Sequence, residues 1–174
     1  PWTATLNHNI GGILHAQRRY AEAEAPARES VAIRTRLHGA DDLRVAADEA
    51  ALASILVGLN KHEEAAELYE RSHAVFLREQ GPEHYEIAVS FNNQAALHQA
   101  RGRLDDALRC YEQSLELKEK LQGADHVDVA ITLNNLASVH VQQGRLDAAA
   151  ALYERALRIF EAKLPPEHPS IAIC

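Results

Sequence analysis

The chain has 174 residues, 47% of them hydrophobic, and a formal charge of −7 from 18 Lys plus Arg against 25 Asp plus Glu. That supplies enough apolar material for a folded domain, and the acidic balance argues against a nucleic-acid surface, which needs a basic face. There is no K/R-rich run, no apolar stretch of membrane-spanning length and no signal-peptide pattern. Cys110 and Cys174 form neither a disulfide framework nor a metal spacing, so the expected setting is a reducing compartment, the cytoplasm.

Ala4, Ala46, Ala88, Ala130 and Ala172 stand 42 residues apart, and Ala23, Ala65, Ala107 and Ala149 make a second column at the same step. Self-similarity at a fixed period marks a repeat architecture. The register predicts one repeat domain, residues 1–168, of four helix-pair units: 1–42, 43–84, 85–126 and 127–168. A stub, PSIAIC (169–174), opens a fifth. With no Met anywhere, Pro1 is expected to begin an excised fragment.

Unit one carries His8-Asn9 in its first helix and Arg18-Arg19 at its turn. Unit two has Ala50-Ala51 and Asn60 in the same places. Unit three has SFNNQAALH with Asn92 and Asn93, then Gly102, and unit four has TLNNLASVH with Asn134 and Asn135, then Gly144. In unit four, Val129, Leu133, Leu136, Ala137 and His140 form one apolar stripe at helical spacing. After Gln143-Gly144-Arg145, a second runs through Leu146, Ala149, Leu152, Tyr153, Ala156, Leu157 and Phe160. Linkers such as GADHVD (123–128) and PPEHPS (165–170) supply the residues that stop one helix and start the next. No strand alternation competes. Small residues in both alanine columns predict close helix crossings, and pairs that cannot bury their stripes alone stack on their neighbours. The expected fold class is therefore all-α: an α-solenoid of stacked antiparallel helix pairs.

The order Leu136-Ala137, His140, Gly144, Ala149, Tyr153 and Ala156-Leu157 resembles the tetratricopeptide repeat, whose usual period is about 34 residues. With its 42-residue period and the strings TLNNLA, QQGRLDAA and LYERALRIFE, this sequence is most similar to the kinesin light chain type. The resemblance implies a right-handed superhelix whose first helices line a concave groove holding peptide segments of partner proteins. It is weakest in units one and two, where the asparagine doublet and the linker glycine are replaced.

With Leu133 as the zero of a helical wheel, Asn134 falls near about 100° and Asn135 near about 200°, on either side of Ser138 and away from the packed stripe. The resemblance makes this the groove face. Its candidate residues are His8 and Asn9, with Gly12, in unit one, and Ala50 and Ser54 in unit two. Asn92, Asn93, Gln99 and Ala96 follow in unit three, and Asn134, Asn135, Ser138, Val141 and Gln142 in unit four. An amide offers donors and an acceptor, so it pairs with peptide backbone whatever its sequence; equally, the asparagines could bridge adjacent repeats or cap backbone. The near absence of Lys and Arg among these positions argues against a clamp for a terminal carboxylate of the kind found in chaperone-tail-binding relatives.

Other constellations point to structure rather than chemistry. His84, His126 and His168 form one column and His98 and His140 another. Repeat-to-repeat separations of roughly 10 Å exceed the ~2 Å bonds of a shared metal. Glu63-Glu64 and Asp105-Asp106 fit the positive ends of helix dipoles. Cys110 shares its column with Leu68 and Leu152, and the run Glu112 to Lys120 (EQSLELKEK) is expected to be a solvated face. The sequence thus predicts a non-catalytic module that binds a protein or peptide partner, without cofactor or metal and with neither nucleic acid nor membrane as a partner. The alternative is an architectural or self-associating segment of a larger protein, such as the sensor arm of a signalling ATPase.

Overall fold

The computed structural model describes residues 2–165, 167, 168 and 170. These form helices only: α1 Trp2–Ala16, α2 Tyr20–His38, α3 Leu43–Gly58, α4 His62–Gln80, α5 Tyr85–Ala100, α6 Leu104–Gln122, α7 Val127–Gln142 and α8 Leu146–Lys163. From α3 onward, helix starts recur at the 42-residue step that the alanine columns set. The expected opening of a fifth unit at 169–174 lies, Ser170 apart, outside the described residues.

Packing divides the chain into residues 1–82 and 83–174. In the first, α1 pairs with α2 and α3 with α4, and α3 packs on α2. In the second, α5 pairs with α6, α7 pairs with α8, and α7 packs on α6. Both alanine columns sit where paired helices meet: Ala4, Ala46, Ala88, Ala130, Ala23, Ala65, Ala107 and Ala149 are all buried. A methyl group is the largest side chain that lets two backbones approach so closely. The contact is reinforced by a serine in each half, Ser30 Oγ donating to the Ala4 carbonyl (2.9 Å) and Ser114 Oγ to that of Ala88 (2.8 Å). In residues 83–174, Leu108 and Tyr111 of α6 pack with Leu136 and Val139 of α7, while Ile159 and Phe160 of α8 cover Val129 and Leu133.

The linkers work as helix signals. Asp42 caps α3, its carboxylate accepting from the Arg44 amide at 2.8 Å. His84, His126 and His168 stand in the same column, and each Nδ1 accepts from the amide two residues on, at 3.3, 3.2 and 3.2 Å. His84 and His126 are thus N-caps of α5 and α7 built from imidazole. Each turn inside a pair needs a left-handed residue. Gly102 and Gly144 supply it at φ 72° and 74°, whereas Asn60 and Arg18 adopt it at 59° and 58° without glycine's freedom.

One expectation is corrected. The run Glu112 to Lys120 is not a wholly solvated face, because Ser114 and Lys118 within it are buried. Lys118 reaches across to α7, donating to Thr132 Oγ1 at 2.9 Å, and Lys120 pairs with Glu83 rather than along its own helix. Helical charge periodicity alone does not distinguish a lysine facing water from one facing the next repeat.

Candidate functional site

On α5 and α7 the expected groove residues meet as a polar ladder. Asn135 Nδ2 donates to Asn92 Oδ1 (3.2 Å), and Gln99 Nε2 donates to Ser138 Oγ (3.2 Å) while its Oε1 accepts from the Tyr111 hydroxyl (3.3 Å). Asn92, Asn93, Asn134, Asn135, Gln99 and Ser138 are all half-buried, whereas Val141 and Gln142 are exposed beyond them. One asparagine of each doublet therefore bonds across to the neighbouring unit, the second of α7 to the first of α5, which is the bridging role weighed above. Each bridged amide keeps further capacity, since an Asn side chain offers two donors and two acceptor sites.

The first half is different. His8 and Asn9 lie on α1, Asn9 exposed and His8 half-buried. His8 Nδ1 sits 2.7 Å from Asp48 Oδ1, on α3. Asp48 is 2% exposed and also receives Arg34 (2.6 Å), while the single Ser30 hydroxyl proton is shared between its Oδ2 (2.5 Å) and the Ala4 carbonyl. Next to it on α3, the equally buried Glu49 is held by Arg71 at 2.6 Å. Burying a carboxylate is costly unless it is paired and hydrogen-bonded, and both requirements are met. Above this cluster lies a cavity of about 110 Å³ bordered by His8, Gly12 and His15 of α1 and by Ala51, Ser54 and Ile55 of α3. Ser54 donates to the Ala50 carbonyl (3.1 Å) and shares a 2.8 Å bond with the Tyr69 hydroxyl, whose pKa burial pushes up to about 12. His15 has its pKa lowered by burial and meets Tyr20 edge-on at 5.5 Å.

Asp48, Ser30, Arg34 and His15 were missed from sequence. The signal was Asp48-Glu49, two acids set in the otherwise apolar stretch LRVAADEAALASILVG. The remaining titratable groups fit structural roles. Burial lowers His98 and His140 and raises the Cys110 thiol, away from the thiolate a nucleophile needs. Glu63, Glu64, Asp105 and Asp106 occupy first turns of α4 and α6, and no group of three or more possible metal ligands occurs among the described residues.

Helix pairs repeated at a fixed step, with small residues at the crossings and a polar face on the first helices, define a helical-repeat protein. The signature of the tetratricopeptide repeat matches residues 2–78, 50–120 and 86–162, and the chain belongs to that family. No curated protein matches the sequence. Among solved structures, BtubC (BKLC) from P. vanneervenii is similar at 23% identity and a TM-score of 0.75, over 95% of this chain and 66% of that one. A kinesin light chain from Podosopora anserina with nearly identical TPR-like repeats is similar at 23% identity and a TM-score of 0.74, over 96% of this chain and 79% of that one. A variant of the same protein gives 22% and 0.75, over 98% and 82%. The shared property is the TPR-like solenoid fold, and the chain spans just under two thirds of the length of the first of these.

Proposed function

We propose that the chain is a non-catalytic protein-interaction module, cytoplasmic in setting, whose first-helix faces hold an extended segment of a partner protein by its main chain. Tetratricopeptide repeats generally mediate protein–protein contact, which supports the coarse reading. The finer one rests on a single observation: amides at Asn92, Asn93, Asn134 and Asn135 stand half-buried on consecutive first helices in place of better helix formers. The inter-repeat bond from Asn135 to Asn92 fixes two of these amides and leaves them capacity for a ligand. The test replaces all four by Ala and compares, at equal helicity and Tm, capture of partner proteins by the variant and the wild-type chain. Loss of specific partners is expected; capture unchanged in a folded variant refutes the groove.

A further inference from the structure

The cavity of residues 1–82 exists because α1 carries Gly11-Gly12 where the other units carry Ala53-Ser54, Ala95-Ala96 and Ala137-Ser138. Neither glycine is needed for the fold. A Cβ built on Gly12 meets nothing within 4 Å, and one on Gly11 makes an ordinary 3.5 Å contact with the Ala27 methyl. Neither has the positive φ that would call for glycine. Two successive glycines inside a helix weaken it, and what they leave in return is open space.

We propose that this cavity is a specificity pocket for one branched aliphatic side chain, leucine or isoleucine, of the bound segment; this rests on the reading that first-helix faces hold an extended peptide. At about 110 Å³ the space is below the roughly 150 Å³ that admits a benzene ring, and well below the about 300 Å³ where pockets for drug-sized ligands begin. Its size suits a four-carbon branch rather than an aromatic ring or a free cofactor. Gly11, Ala27, Ala51 and Ile55 give it apolar walls. Asp48 at its edge does not select a cation, because His8, Arg34 and Ser30 already occupy its oxygens. His8 stands at the rim of the cavity, its Nδ1 2.7 Å from Asp48 Oδ1.

The test titrates the 174-residue chain with N-acetyl-leucinamide, N-acetyl-phenylalaninamide and N-acetyl-glycinamide, followed by amide NMR shifts. The leucine probe is expected to shift resonances around Gly11, Gly12 and Ser54 with a millimolar dissociation constant, in line with a ligand of that size. The phenylalanine probe binds at least about tenfold more weakly, and the glycine probe produces no local shift, because burial of the apolar branch drives binding. Gly12→Leu fills the mouth and abolishes the leucine response, while Gly12→Ala, which meets no neighbour, retains it. Ala51→Ile stands in should Gly12→Leu lose helicity. No leucine shift, equal response to all three probes, or an unaltered response in a folded filled variant overturns the pocket. These fragments report on the cavity alone, so its failure is separable from that of the groove, which the four-asparagine variant tests.

Discussion

Replacing Lys118 by Met tests whether a buried charge between repeats stabilises this fold. The side chain is 5% exposed and its ammonium makes one hydrogen bond among the described residues, to Thr132 Oγ1 at 2.9 Å. Desolvation lowers its pKa from the ordinary lysine value and outweighs the opposing pull of Asp128. A charged hydrogen bond is worth about 1.5–3 kcal/mol, whereas taking an ammonium out of water costs several kcal/mol. Methionine keeps the unbranched length, and Thr132 keeps its 3.0 Å bond to the Asp128 carbonyl. Asp128 retains the Tyr85 hydroxyl and Gln122 as partners. Units two and four place Phe76 and Phe160 in the same column, both buried, so the site accepts an apolar chain. The expected result is a gain of about 1 kcal/mol, or roughly 2–4 °C in Tm. The pH dependence has a definite sign. Below both the folded and unfolded pKa the penalty is present in full. Between them the unfolded chain binds more protons than the folded one, so wild-type stability rises with pH relative to the variant. Urea denaturation of both proteins at about pH 7 and about pH 10 reads the gap. A variant less stable at about pH 7, or a gap that does not shrink toward about pH 10, refutes the reasoning.

Arg18→Gly should raise stability by about 0.5–1 kcal/mol in urea melts, because arginine holds a left-handed φ of 58° at a turn where Gly102 and Gly144 stand unstrained. Gly58→Ala should cost about 1–3 kcal/mol, since its Cβ would stand 2.6 Å from the Tyr20 ring; a Tm equal to wild type contradicts that packing. His126→Ala should lose about 1 kcal/mol by removing the acceptor for the Asp128 amide, and His126→Ser should keep most of it. Equal losses in both variants, measured by thermal melts, would remove the capping role.

The helix pairs were legible because their signals are local and repeated. An alanine at a crossing or a left-handed turn residue is fixed by backbone geometry, and four copies at one step leave little room for a different register. The histidine column was visible for the same reason, although its capping role was not. That role needs the Nδ1 geometry at Glu86 and Asp128, which neither spacing nor residue type specifies. Lys118 was misplaced because a 3.6-residue pattern records faces of one helix and says nothing about the next helix over it.

The same physics explains why the two halves carry different sites on one scaffold. Position 34 and its column hold Arg34, Phe76, Lys118 and Phe160, so a cation alternates with an aromatic. The facing column answers where the cations fall: Asp48 meets Arg34 and Thr132 meets Lys118. Since a buried charge is tolerated only with a partner, these columns cannot vary independently. Once Arg34 and Asp48 are committed to each other, Asp48 can also fix His8, and the first-helix position that carries Asn92 in unit three becomes a held imidazole in unit one. With glycine beside it instead of Ala96 or Ser138, the groove column opens into a cavity there and closes into an amide ladder between α5 and α7. The first half thus presents a cavity beside a histidine, and the second a ladder of hydrogen-bonded amides. This division follows from pairwise constraints between neighbouring repeats, which a single-repeat consensus averages away.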